Sequence, residues 1–396
     1  MSERPGKDVD RRAMSVLSAG HLFTDLNQGA VAALLPFLVT ERGLSLAAAG
    51  TLVLAATVSS SVVQPLFGTF SDNRPLPALM SLGVLFAGIG MALVGVVPSY
   101  HLTLLCIVLS GIGVAAFHPE AARFANYVSG ARRARGMSFF SVGGNAGFAL
   151  GPALATPLVL AFGLPGTLFL ALPAAVMAAV IFSEMPRMLG FCPEEDENGG
   201  VEPAEAPEQW GPFARMVGIV TVRSIVYFGL VAFVASYYGR VLGTSPAFGN
   251  AALTVMLTSG AVGTLLMGPL ADRFGRRAVV ASSMVLLPPL IYGFTLAGPY
   301  LGMILLALVG AVTVGTFGVT VVMGQEYLPG RIGLAAGITM GFSIGLGGLG
   351  APLLGLLADH AGLSVTMLVI GALPVLGLIL ALTLPRMVQA PPTARD

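Results

Sequence analysis

Twelve apolar stretches, each about the length of a membrane-crossing helix, constrain this 396-residue chain more than any other feature. They run roughly 14–40, 46–70, 77–97, 101–124, 136–162, 164–185, 212–238, 247–271, 278–297, 301–325, 332–358 and 364–385. A helix needs about 20 largely apolar residues to cross a bilayer, whereas barrel strands would alternate over about ten. The runs therefore predict an all-α integral membrane protein of twelve helices with the lipid bilayer as its solvent. Composition agrees, with 55% hydrophobic residues and only 10% charged, against about 25% charged in a soluble domain. A net charge of +1 offers no basic face for nucleic acid. Two cysteines, Cys106 and Cys192, make neither a disulfide framework nor a metal site. The basic start (Arg4, Lys7, Arg11, Arg12) precedes an apolar run about twice as long as a signal sequence would carry, so it reads as a retained first span.

An even number of spans puts both termini on one side, and the basic residues say which. Of 20 Lys and Arg, 17 fall in the N-terminus, the even-numbered loops, the helix ends beside them or the C-terminus. Only Arg42 and Arg240 fall in odd loops, and Arg223 lies inside span seven. The positive-inside rule then makes both termini cytoplasmic. The expected organisation is a cytoplasmic N-terminus (1–13), a six-helix half (14–186), an acidic linker (187–211), a second six-helix half (212–386) and a cytoplasmic tail (387–396). The linker holds Glu194, Glu195, Asp196, Glu197, Glu202, Glu205 and Glu208 with three prolines, a composition that cannot bury a core.

The halves repeat at an offset of 200 residues. Gly68-Thr69-Phe70-Ser71-Asp72 closes span two and Gly268-Pro269-Leu270-Ala271-Asp272 closes span eight, while Gly147–Pro152 in span five aligns with Gly347–Pro352 in span eleven. Parallel halves related by an axis along the membrane normal are a transporter arrangement, with the substrate held at the midplane between them. A channel would more usually build its pore from identical subunits. The segment Gly268 to Arg277 resembles the GxLaDrxGrr loop of the major facilitator superfamily. Asp272, Arg273, Gly275, Arg276 and Arg277 there could form a charge latch between the halves that favours one of two rocking states. The first copy keeps Gly68 and Asp72 but only Arg74 of the basic cluster, so its latch should be weaker. Gly143, Gly147, Gly151 and Pro152 in span five put small residues every four positions and a proline in one helix, which allows close helix approach. This resembles the superfamily's antiporter motif, and ordinary helix packing would also explain it.

Further segments resemble the fosmidomycin resistance protein family within that superfamily. They are Gly20-His21-Leu22-Phe23-Thr24-Asp25, Phe117-His118-Pro119-Glu120-Ala121-Ala122-Arg123, Val142-Gly143-Gly144-Asn145, Ser236-Tyr237-Tyr238, Gln325-Glu326-Tyr327-Leu328-Pro329-Gly330-Arg331 and Ala358-Asp359-His360. The resemblance covers about residues 20–385. It implies a monomeric carrier in a bacterial inner membrane that exports a small phosphonate in exchange for protons. Proton-coupled uptake of an organic anion or sugar stays open, as does a non-transporting receptor.

Ionisable side chains inside the membrane are costly and need partners or water. His21, Asp25 and Gln28 sit at i, i+4 and i+7 on one face of span one, bordered by Thr24. Asp25 near the midplane, with His21 one turn away, suits a proton carrier. In span four, His118 and Glu120 flank Pro119 and join His21 and Asp25 as expected proton-coupling residues, and Glu120 could pair with Arg123 three residues on. Such a pair would either couple protons or anchor the helix end. Glu326, at equivalent depth in span ten, reads as a gate or salt-bridge residue. Arg223 near the midpoint of span seven could bind an anionic substrate or pair with Asp25, and Tyr227 shares its face one turn on. Gln28, Asn145 and Thr24 complete the expected substrate contacts. Tyr237 and Tyr238 sit where an interfacial aromatic belt would lie. Enzymatic readings find no support: there is no HExxH helix, no G-x-S-x-G elbow and no P-loop. The sequence calls for no cofactor.

Overall fold

The computed structural model describes residues 9–64, 66–67, 76–130, 133–191, 207–328, 335 and 337–385. Each of the twelve apolar runs is mostly helical over its described residues, and those residues form no strand. The first half contains α1 (Arg11–Glu41), α2 (Leu46–Ser61), α3 (Ala78–Val94), α4 (Tyr100–Val128), α5 (Arg133–Phe162) and α6 (Ala171–Leu189), with a 3-10 segment Leu164–Leu170 leading into α6. The second contains α7 (Trp210–Arg240), α8 (Pro246–Phe274), α9 (Arg276–Leu296), α10 (Pro299–Gly315, resuming as Phe317–Tyr327), α11 and α12. The α11 span is built in pieces, a π-helical turn Gly337–Phe342, then Ser343–Gly348 and Gly350–Ala361, while α12 is Leu363–Ala372 and Pro374–Leu382. Among the described residues, nine of these segments are each long and apolar enough to cross a bilayer, and Leu46–Ser61 and Ala78–Val94 are shorter apolar helices.

Helix ends follow local chemistry. Asp10 caps α1 through the Ala13 amide at 2.8 Å and is bonded by Arg187 at the end of α6 at 2.6 Å. Partial burial disfavours its charge, but the bonds from Arg187 and the backbone amides outweigh that and hold its carboxyl below the ordinary range. Ser45, Ser99 and Ser245 cap α2, α4 and α8. Gly275 joins α8 to α9 at φ +89°, a conformation that favours glycine and explains its place in the GxLaDrxGrr loop.

The most extensive helix pairing among the described residues is α1 against α5, and glycines let the two helices approach closely. A Cβ on Gly143 would sit 2.2 Å from the Ser18 carbonyl oxygen, one on Gly147 2.0 Å from that of Leu22, and one on Gly151 2.5 Å from the Ala30 nitrogen. The glycines therefore bring the two backbones into contact within one half.

The end away from the termini is sealed. Phe228–Tyr238 of α7 are buried without interruption, as are Gly29–Leu35 of α1. A Cβ on Gly50 of α2 would meet the Ala351 oxygen of α11 at 2.5 Å, and one on Gly355 would meet that of Leu46 at 2.5 Å. Asn250 of α8 donates to the Ala33 oxygen of α1 at 3.1 Å. Arg42 also has a structural explanation on this side. Its guanidinium donates to the Gly95 carbonyl and the Thr103 hydroxyl, both at 2.8 Å, which satisfies the end of α3. Tyr237 and Tyr238 are not belt residues facing lipid: both are buried, and their hydroxyls donate to the Thr295 and Pro299 carbonyls.

Candidate functional site

His21, Asp25 and His118 meet in the first half. His21 Nε2 lies 3.3 Å from one Asp25 oxygen and His118 Nε2 3.2 Å from the other, while the two Nε2 atoms are 3.1 Å apart. Each imidazole places Nδ1 2.8 Å from a backbone carbonyl, Phe140 for His21 and Val114 for His118. A carbonyl only accepts, so Nδ1 carries a proton in both rings and Nε2 is left with a lone pair. Two lone pairs and a carboxylate then converge, an arrangement stable only when it shares a cation. Nitrogens at 3.1 Å suit a proton bound on one of them. The ligand atoms lie within 4.8 Å of one another, a spacing that could also hold a metal ion. Gly144 of α5 makes the room: a Cβ there would fall 2.3 Å from His21 Nε2 and 2.8 Å from Asp25 Oδ2. Phe140, one helical turn earlier, stacks on the His21 ring at 4.2 Å between centroids.

The second half carries an unlike site. Arg223 of α7 is buried, and its Nη1 donates to the Thr316 and Thr320 hydroxyls, each at 3.3 Å. Its guanidinium carbon lies 5.5 Å from the centroid of the Phe317 ring. These partners flank the break in α10, where the first segment ends at Gly315 and the negative end of its dipole favours a cation. Asp25 is not among its partners. Among the described residues no carboxylate pairs with Arg223, so the anticipated Arg223–Asp25 pair is not formed in this state. The repeat offset relates the two sites: α1 with α4 builds the His–Asp–His cluster, and α7 with α10 builds the arginine pocket.

Other expected contacts divide. Gln28 donates to the Ser60 hydroxyl of α2 at 2.7 Å and lines a cavity of about 20 Å³ with Thr57, Phe148 and Phe228. Tyr227 approaches Phe148 of α5 across the halves, with ring centroids 6.3 Å apart. Asn145 is half-buried beside Gly144. Thr24 is fully buried, and its hydroxyl donates to the Gly20 carbonyl at 2.8 Å, so it does not face a cavity. Glu120 is also fully buried and stands apart from the histidine cluster. One carboxylate oxygen accepts from the Leu76 amide at 2.7 Å, and the other lies 3.7 Å from Arg123. That arrangement ties the end of α4 to the start of α3.

The expected latch is arranged differently. Arg276 pairs with Glu326 of α10 and Arg277 donates to the Ala381 and Leu382 carbonyls at the end of α12, all within the second half. Arg273 lies over the adjacent Phe274 ring, and Asp272 is itself engaged. Among the described residues no ion pair joins the halves. Nothing occupies a Cβ position on Gly268 within 4 Å. Gly68 and Asp72 lie outside the described residues, as does most of the acidic linker.

The profile of the Major Facilitator Superfamily matches residues 17–238 and 216–396. The chain belongs to the major facilitator superfamily. It is 33% identical over 377 residues to the fosmidomycin resistance protein of Escherichia coli K12, covering 92% of this chain and 91% of that one. It is also 33% identical over 390 residues to the uncharacterized MFS-type transporter YfnC of Bacillus subtilis 168, covering 97% and 95%. Among solved structures, an inward-facing, unoccupied bacterial homolog of the human lysosomal transporter Spinster aligns with a TM-score of 0.76 at 16% identity over 96% of this chain and 98% of that one. The nucleoside transporter NupG aligns at 0.73 with 13% identity over 94% and 99%.

One contact of this superfamily member was not legible as a functional element in the sequence. Asp359 at the end of α11 accepts from the Leu46 and Ala47 amides at the start of α2, both at 2.8 Å. A carboxylate from one half thus caps a helix of the other, a charge-assisted clasp at the sealed end. Ser45 before an apolar run signals a helix start, but nothing local says that a residue more than 300 positions away completes the cap.

Proposed function

We propose that this transporter exports a small anion of the fosmidomycin type in exchange for protons, by alternating access across a bacterial inner membrane with both termini cytoplasmic. The observation that carries this reading is the pairing of unlike sites in equivalent places of the two repeats. The His21–Asp25–His118 cluster needs a cation to be stable, and among the described residues the buried cation Arg223 has only hydroxyl and aromatic partners. Arginine at a helix centre costs roughly 2.5–3.5 kcal/mol on insertion scales, a cost an anionic substrate would offset. Its planar fork suits a phosphonate, and Tyr227 one turn on would border the bound anion.

The sealed far end supports a state closed to the side away from the termini. Substrate would enter from the cytoplasm and dock at Arg223. Protons arriving from the other side would load the histidine cluster after the halves rock. Asp25 is the acceptor at its centre, His21 and His118 share the proton, and Gln28 and Asn145 border the same region. The similarity to the fosmidomycin resistance protein supports the drug and the outward direction.

Cells expressing the protein should grow at several-fold higher fosmidomycin concentrations than control cells, and Asp25→Asn and Arg223→Ala should each abolish the gain. Lower tolerance on expression would mean that the carrier imports the compound. Transport by the unsubstituted protein that stops with a chelator and returns on adding back a metal ion would assign the cluster to that metal instead.

A further inference from the structure

Beyond the transport site lies a crevice of about 690 Å³ at the termini-bearing end. It is lined by Arg11, Met14, Ser15, Ser18, Ala19 and Leu22 of α1 with Phe139, Val142 and Ala146 of α5, among others. Helical geometry shows which way it faces. Phe139 and Val142 are 53% and 47% exposed and share an α5 face with the exposed Leu150 and Leu160. At about 100° per residue these four, with Ala146, fall within roughly 80° of one another. Gly144, which abuts His21 and Asp25, lies about 200° round from Val142. The crevice therefore opens on the outer, lipid-facing side of the α1–α5 pair, away from the cluster.

We propose that this crevice binds an anionic phospholipid of the inner leaflet. Length, polarity and charge all fit one such molecule. From Arg11 to Leu22 the wall runs about 16 Å along α1, close to half of a hydrocarbon core of about 30 Å. Its deep part is apolar, with Leu22, Val142 and Ala146, and its polar groups, Ser15, Ser18 and Arg11, lie toward the mouth. Arg12 and Arg187 beside it are paired with Glu184 and Asp10. Arg11 is exposed and has no ion-pair partner among the described residues, so it is the charge available for a lipid phosphate. Basic groups between spans on the cytoplasmic side are suited to anionic headgroups.

The test is native mass spectrometry of the purified full-length protein titrated with dioleoylphosphatidylglycerol or dioleoylphosphatidylcholine. The glycerol lipid should be retained several-fold more than the choline lipid. Arg11→Gln should bring the two to parity, and Ala146→Trp, which fills the apolar wall, should lower retention of both. Arg11→Gln touches no core contact, so it decides the matter even where Ala146→Trp fails to fold. Equal retention of both lipids by the unsubstituted protein, or a preference untouched by Arg11→Gln, would overturn the proposal. So would displacement of the lipid by inorganic phosphate alone, which would mark a simple anion site. None of these outcomes depends on which substrate the carrier moves.

Discussion

Arg223 is the residue whose environment asks most for a ligand. A guanidinium held by two threonine hydroxyls and an aromatic face retains, among the described residues, unused donors in a buried place. Hydrogen bonds to charged groups contribute roughly 1.5–3 kcal/mol, so Arg223→Ala should weaken an anionic substrate about 10- to 100-fold and a neutral one far less. Binding measured by equilibrium dialysis checks this, and equal losses for both would make Arg223 a structural residue. Gly144 and Gly143 are adjacent yet should behave differently. A methyl on Gly143 strikes backbone of α1, which cannot yield cheaply, and overpacking of this kind costs about 1–3 kcal/mol. One on Gly144 strikes the His21 and Asp25 side chains. Gly143→Ala should lower the melting temperature, whereas Gly144→Ala should leave it closer to the original and reduce proton coupling at least tenfold. At this scale the sequence was readable where spacing sufficed: His21 and Asp25 are one turn apart on one helix. His118 was expected to couple protons, but its contact with Asp25 was not legible, because that approach depends on how α4 packs on α1. Thr24 and Glu120 went the other way. Intrahelical bonding of a threonine, and the Leu76 amide that meets Glu120, leave no mark in the local pattern.

Among the elements, the clasp between α11 and α2 bears most on mechanism, since it must break before the sealed end can open. Asp359→Ala should shift the population toward the opposite state. A cysteine placed at Ala32, which is 2% exposed beneath the seal, should then react several-fold faster with an impermeant thiol reagent added from the far side. An unchanged rate would mean that glycine packing of α2 on α11 holds the seal without Asp359. Span positions were recoverable from sequence because hydrocarbon thickness fixes their length. The breaks were not. Thr316 interrupts α10 without a proline, and a π-helical turn enters α11. Only tertiary packing decides these departures, and the first of them builds the arginine pocket.

For the molecule as a whole, the repeat at 200 residues implied two equivalent halves, and the structure gives them opposite chemistry. One repeat gathers histidines around a carboxylate and the other isolates a guanidinium. The charged loop after α8, anticipated as a latch between halves, braces its own half through Glu326 and the end of α12. Among the described residues, closure between the halves in this state uses backbone contacts at glycine, the Asn250–Ala33 hydrogen bond and the Asp359 cap. The central claim is that movement of a small anion past Arg223 is tied to protons held by the Asp25 cluster. Purified protein in liposomes containing a pH-sensitive dye, with fosmidomycin added on one side, tests it directly. The account predicts a substrate-dependent pH change that Asp25→Asn removes while the variant remains folded in the membrane. Substrate movement with no pH change, or a pH change that persists in Asp25→Asn, would contradict it.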